Sequence, residues 1–137
     1  MNANEISSVI KKYEMLLATL LKGEFLQFNS TKFRATLPEQ GGVYHIVERI
    51  NDLFDTVYIG QSNNLQNRIY RSHLMGNRQV STLKNKLIKT GIFPNEVAVK
   101  NYLYERCMVQ FLVIENESDR NSFEHFAISI LRPKFND

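Results

Sequence analysis

Ile6, Val9, Ile10, Tyr13, Leu16, Leu17 and Leu20 fall at the three- and four-residue intervals that line one side of a helix, and Gly23 follows them as a stop. The pattern predicts an amphipathic helix over residues 5–22, which needs a body to pack on. Residues 24–40 keep no such period: Phe25, Phe28 and Phe33 are scattered among polar residues ahead of Pro38 and Gly41-Gly42. This stretch reads as a connector that pins the helix to the rest of the chain. Residues 43–48 and 56–59 are β-rich and flank "RINDLFD", in which Asn51-Asp52 favours a turn. The two segments are expected to be adjacent antiparallel strands.

Helical signals return after Gly60. Asn63 or Asn64 is placed to cap a helix that runs to about Leu74, Ser81 or Thr82 to cap one ending at Gly91, and Asn95 to open a third that reaches Glu105. "CMVQFLVIE", residues 107–115, is almost wholly apolar, as a central strand buried on both faces would be. After the polar turn "NESD", Phe123, Phe126, Ala127, Ile130 and Leu131 mark a last helix, which Pro133 stops. The order α-β-β-α-α-α-β-α predicts an α/β class: a small single-domain sandwich with a mainly antiparallel three-stranded sheet flanked by helices, plus an N-terminal helix. Residues 1–40 are expected to pack as helix and connector on a body formed by residues 41–137.

Composition narrows the class. A chain of 137 residues with 43% hydrophobic content supports one domain with its own core. No apolar run approaches the roughly 20 residues needed to span a bilayer, and the N-terminus lacks the layout of a signal peptide, so a soluble cytoplasmic protein without a membrane partner is expected. The single Cys107 heads an apolar run, excludes an intrachain disulfide and reads as a core residue. The net charge is only +3, yet residues 61–106 carry eight Lys and Arg against two acids. Such a segment, with Arg71, Lys84, Lys86 and Lys89 as candidate contacts, suits a nucleic-acid partner, because neutralising phosphates releases condensed counterions. A solvated helix surface would carry the same charges.

The chemistry concentrates in "GVYHIVERINDLFDTVYIGQSNNLQNRIYRSH", residues 42–73. Alternate strand residues share a face, so Tyr44 and Tyr58 stand side by side across the hairpin if the register allows it. Arg68 belongs to the next helix and is close enough in sequence to overhang them. A guanidinium beside phenols favours phenolate and offers a phosphate a fork of donors. Hydrolysis of a phosphodiester also needs positive charge on the phosphate and usually a metal. Glu124 sits among Phe123, Phe126 and Ala127, where an unpaired carboxylate is costly to bury and calls for a metal or a cationic partner such as Arg68. His45 alternates with the tyrosines onto the other side of its strand, and it reads as structural, as does His125.

These residues resemble the GIY-YIG nuclease family from Gly42 to the C-terminus. Gly42-Val43-Tyr44 is similar to the first triplet with one aliphatic exchange, Tyr58-Ile59-Gly60 matches the second, Arg68 falls where the essential arginine falls, and in "FEHFAISILRPKFN" Glu124 and Asn136 take the places of the metal-ligating glutamate and the terminal asparagine. The resemblance implies a compact catalytic domain over residues 41–137 that cleaves nucleic-acid strands, most readily DNA, with Mg²⁺ or Mn²⁺ on Glu124. It implies Tyr44 as general base, Tyr58 positioning water or a phosphate oxygen, Arg68 on phosphate charge, and Asn136 orienting groups near the metal or holding the C-terminal segment.

His73 departs from the pattern. Family members often carry a histidine four residues after the arginine, whereas His73 is five after Arg68, about 140° round an unbroken helix of 3.6 residues per turn. That puts it with Leu65 and Ile69 as a structural residue, unless the helix ends at Ser72 and lets it swing inward as a catalytic one. Arg71, one turn from Arg68, is placed to share phosphate contact. The alternative to an endonuclease is a non-cleaving nucleic-acid-binding module on the same scaffold. No appended DNA-reading motif is visible, so target choice would come from the N-terminal helix, from residues 74–106, from a partner, or from a second copy, and a homodimer is compatible with this.

Overall fold

The computed structural model describes residues 1–136; Asp137, the last residue of the expected catalytic body, lies outside them. Helix α1 (Ala3–Lys22) starts where the Asn2 side chain accepts the Glu5 N–H at 2.9 Å and ends where Gly23 N–H bonds back to Leu20. The connector holds a two-residue strand, β1 (Leu26–Gln27), and a single helical turn, α2 (Phe33–Thr36). Then follow β2 (Gly42–Ile50), β3 (Leu53–Ser62), a π-helix (Asn67–Leu74), α3 (Thr82–Lys89), α4 (Glu96–Arg106), β4 (Cys107–Val113) and α5 (Glu117–Leu131).

All pairings are antiparallel and the sheet order is β1-β4-β2-β3. The α/β class, the antiparallel sheet flanked by helices and the N-terminal helix are as expected, but among the described residues the strands number four rather than three. The additional strand is β1, whose pairing of Leu26 with Val109 and Gln27 with Met108 leaves no periodic trace in so short a piece. "RINDLFD" is not a loop: β2 and β3 run on to Ile50 and Leu53, and only Asn51 and Asp52 turn, with Asn51 at a φ of 56°. Asparagine tolerates that left-handed backbone because its short polar side chain bonds locally. The last helix likewise begins earlier than Phe123, since "NESD" supplies the Asn116 cap and the acidic first turn of α5.

Two apolar layers sandwich the sheet. Tyr44, Ile46, Tyr58 and Val109 meet Leu65, Ile69, Leu83, Leu87 and Leu103 from the π-helix side, with buried Cys107 in the same cluster. Val43 and Ile59 meet Leu20, Phe123 and Ala127 of α1 and α5 on the other. Tyr13, Leu16, Leu17 and Leu20 therefore anchor α1, whereas Ile6, Val9 and Ile10, placed on the same packed face by their spacing, are exposed. The body under α1 is shorter than the helix.

The β2–β3 register sets the site. Tyr44 pairs with Gly60 and Ile46 with Tyr58, after which the register shifts so that Val47 faces Thr56 and Val57 is the extra, bulged residue. A bulge adds twist and re-aims neighbouring side chains, and here Val57 and Tyr58 both join the π-helix side. The two tyrosines are thus diagonal neighbours rather than directly opposite, with ring centroids 6.1 Å apart. The Tyr44 ring lies across Gly60, where any Cβ would overlap it. Edge strand β3 is covered by the C-terminal segment: Lys134 and Phe135 N–H groups donate to Thr56 and Val57, and Asn136 bonds both backbone groups of Ile59 at 2.9 and 2.7 Å.

Gly60→Ala is expected to lower stability by about 1–3 kcal/mol through overpacking, read as a reduced urea midpoint with an unchanged slope. An unshifted midpoint would mean that the Tyr44 ring is free to move aside.

Candidate active site

Three rings form the centre of the site. Tyr44 is 1% exposed, and its hydroxyl lies 2.6 Å from His73 Nε2. His73 is fully buried, and its other ring nitrogen, Nδ1, lies 2.8 Å from Ser81 Oγ. Tyr58, also buried, packs edge-on to His73 with centroids 5.8 Å apart and bonds Thr82 Oγ1 at 3.1 Å.

The π-helix explains how His73 arrives there. In an α-helix five residues from Arg68 would be the wrong side, but an i→i+5 ladder brings residues five apart one above the other. Met75 N–H bonds Tyr70 at 3.0 Å in that pattern. The helix does not end at Ser72 but runs to Leu74, and its wider turn carries the buried His73 ring to the Tyr44 hydroxyl.

The electrostatics follow from burial and from Arg68. Burial, then the neighbouring Tyr58, raise the Tyr44 pKa well above the ordinary phenol value, while Arg68 pulls it back and Glu124 adds to the rise. Burial, then the charges of Arg68 and Lys84, lower the His73 pKa from 6.5 to about 3, so the ring is neutral at ordinary pH. Half-buried Arg68 thus acts on both members of the hydrogen-bonded pair, whereas Arg71 is exposed one turn on.

Glu124 approaches from α5, on the other layer, and reaches the rim of β3. Burial raises its pKa; His125, the Gln61 backbone N–H and Lys86 oppose the rise. Arg120, buried on the same helix, steadies Gln61 by donating to its side-chain oxygen at 2.9 Å. Among the described residues no group of three or more His, Cys, Asp or Glu is gathered. A lone, half-buried carboxylate is the wrong donor set for Zn²⁺ but suits a hard cation that keeps most of its waters, such as Mg²⁺ or Mn²⁺.

The basic candidates divide. Lys84 is 2% exposed, and its ammonium donates to the carbonyls of Leu74 and Gly76 at 2.7 and 2.5 Å, closing the end of the π-helix. Burial, then Lys100, lower its pKa to about 8, with Glu96 opposing. Its expected place on a nucleic-acid face is therefore corrected: it serves the backbone that carries His73. Lys86 and Lys89 line an open cleft of about 340 Å³ with Thr90, Lys134, Phe135 and Asn136, and Lys86 Nζ stands 6.0 Å from the Tyr58 ring centre. The Asn136 side chain bonds both backbone groups of Ile59. His45, on the other side of the strand, bonds Gln110 and Thr56.

Sequence reasoning missed Ser81 and Thr82 as site residues, because a serine-threonine pair ahead of a helix reads only as a cap. Ser81 is that cap, accepting the Lys84 N–H at 3.0 Å, and its contact with His73 spans eight residues that no periodicity links.

A profile of the GIY-YIG catalytic domain matches residues 40–133. Among solved structures, the chain is similar to the GIY-YIG N-terminal endonuclease domain of UvrC from Thermotoga maritima. Two point mutants bound to the catalytic divalent cation align at 23% and 25% identity, over 77% of this chain and 93% and 92% of theirs, each with a TM-score of 0.49. The magnesium-bound form aligns at 23% identity over 77% and 93% of the two chains, with a TM-score of 0.45. No curated protein matches the chain.

The His73 shift makes stability depend on pH. A group that is neutral when folded down to about pH 3, and binds a proton near 6.5 when unfolded, contributes stability that is fully present above 6.5 and is lost as pH falls toward 3. The urea midpoint is expected to drop between pH 7 and pH 4, and His73→Asn to flatten that drop. An equal drop in the variant would show that other groups carry the acid sensitivity.

Proposed function

The chain belongs to the GIY-YIG family, and from that premise we propose that this endonuclease hydrolyses DNA phosphodiester bonds through attack by water assisted by Tyr44, with one divalent cation on Glu124. Residues 41–137 are the catalytic unit and residues 1–40 a helix and connector packed on it. The observation that carries the reading is the buried Tyr44 hydroxyl, 2.6 Å from His73 and acted on by the charges of Arg68 and Glu124. In that position Arg68 favours the phenolate and offers donors to the phosphate.

Each side chain has a task. Tyr44, as the phenolate whose formation Arg68 favours, takes a proton from the attacking water, and Tyr58 orients the water or a phosphate oxygen. Glu124 holds Mg²⁺ or Mn²⁺, which when bound supplies stabilisation of charge on the phosphate and the departing oxygen. Asn136 keeps the C-terminal segment on β3, next to the Lys86–Lys89 cleft. Arg71, Lys86 and Lys89 meet phosphates of the DNA away from the scissile one. Among the described residues no helix is long and apolar enough to cross a membrane.

Incubation with plasmid DNA in Mg²⁺ or in EDTA tests the reading. Cleavage is expected only with the cation and is expected to be lost in Glu124→Ala at unchanged thermal stability. Because burial raises the Tyr44 pKa, the phenolate fraction and the wild-type rate are expected to climb between pH 6.5 and 9, while Tyr44→Phe stays slow throughout. Binding without cutting by the wild type would favour the non-cleaving module instead. Replacing both Lys86 and Lys89 by Ala is expected to weaken DNA binding on all sequences alike and to flatten its salt dependence by a slope of roughly 1 to 2. A wild-type slope in the double variant would turn this face away from DNA.

A further inference from the structure

Ser81 is fully buried and has two partners: its oxygen accepts the Lys84 backbone N–H at 3.0 Å, and it lies 2.8 Å from His73 Nδ1. The hydroxyl carries one proton, and a buried donor left unpaired is costly. The Lys84 backbone N–H is itself a donor, so among the described residues the acceptor for the serine proton is Nδ1. We infer that Ser81 is a positioning residue that fixes His73 as the Nε2–H tautomer, so that the ring donates a hydrogen bond to the Tyr44 oxygen rather than accepting the Tyr44 proton.

The remaining protons fall into the same order. With Nε2–H aimed at its oxygen, Tyr44 must send its own proton elsewhere, and the Tyr58 ring stands beside it with centroids 6.1 Å apart. Tyr58 in turn bonds Thr82, an exposed residue. Two sets of contacts thus meet at the start of α3: Ser81, its cap, joins His73 and through it Tyr44, while Tyr58 joins Thr82, its first residue. The opposite order, with Tyr44 donating to Nε2 and Nδ1–H to Ser81, strands the Ser81 proton in the core. A ring kept neutral by burial and by Arg68 and Lys84 is also a poor proton acceptor.

The catalytic consequence rests on the endonuclease reading. A phenolate formed at Tyr44, once its proton has passed to solvent, meets a neutral donor, the Nε2–H, already in place. His73 needs no change of charge. Preorganised donors of this kind act where charge develops and cost no reorganisation at that moment.

The test reads the ring directly. Long-range ¹H–¹⁵N spectra of imidazole-labelled protein at pH 7 are expected to show His73 protonated at Nε2 in the wild type and in Ser81→Thr, which keeps the hydroxyl. Ser81→Asp retains a capping acceptor but offers no proton, and is expected to turn the ring to Nδ1–H. It is expected to lower kcat about ten- to a hundred-fold, the worth of one hydrogen bond to a charged group, with KM for DNA little changed. Ser81→Gly, which costs the helix cap little, is expected to show the same kcat loss with a mixed tautomer. An Nδ1–H ring in the wild type overturns the proton order. A Ser81→Asp enzyme with a turned ring and a wild-type kcat overturns its use in the reaction. An Nε2–H ring in a chain that cuts no DNA leaves the proton order standing and removes the endonuclease reading alone.

Discussion

The 2.6 Å contact between the Tyr44 hydroxyl and His73 Nε2, closed off from solvent, ties together every element around the site. For it to form, the Tyr44 ring must cross β3 at a residue without a Cβ, which is Gly60. His73 must turn inward from a helix whose α-helical phase would carry it past, and that calls for the π-helical turn. The end of that turn needs a cation on its carbonyls, which is Lys84. A shared cap residue, Ser81, then joins the histidine to the start of α3.

Burial gives this contact both its strength and its cost. In a low-dielectric interior the phenol resists ionisation and the imidazole resists protonation, so both partners rest neutral. The charges that would tip the pair stand at its edge. Arg68 comes from the same helix as His73, and Glu124 comes across the sheet from α5, braced by Gln61 and Arg120. A neutral buried pair with charged groups around it is stable at rest and sensitive to any change in those charges.

The covering of β3 serves the same geometry. Its exposed rim would invite pairing with another strand, and Lys134, Phe135 and Asn136 occupy it instead. Lys134 also joins Asp55 at 3.1 Å and approaches Glu48 at 3.8 Å, which neutralises one lysine of the adjoining cleft. Lys86 and Lys89 remain its other two lysines, beside the Tyr58 ring. Neighbouring lysines that look alike in sequence thus occupy different surroundings: Lys84 on buried carbonyls, Lys134 on carboxylates, Lys86 and Lys89 along the cleft.

What the sequence determined was local or carried by spacing. Helix periods, a cap at Asn95 and one at Ser81 or Thr82, the Asn51-Asp52 turn, the apolar run of β4 and the ordered set Tyr44, Tyr58, Arg68 and Glu124 all rest on neighbours a few residues apart or on residue identity. What tertiary structure alone decided were the quantities that depend on packing partners distant along the chain. The bulge at Val57 makes the tyrosines diagonal, because strand register is set by both strands and the layers above them. The ring of His73 meets Tyr44 because the helix widens to fit the core. Lys84 is buried and Lys86 is not, although both lie on one short helix, because only the former finds the open carbonyls of Leu74 and Gly76. Ser81 becomes more than a cap for the same reason: a hydroxyl buried against a ring eight residues away must give its proton to that ring, and nothing in the order of residues says which ring it will meet.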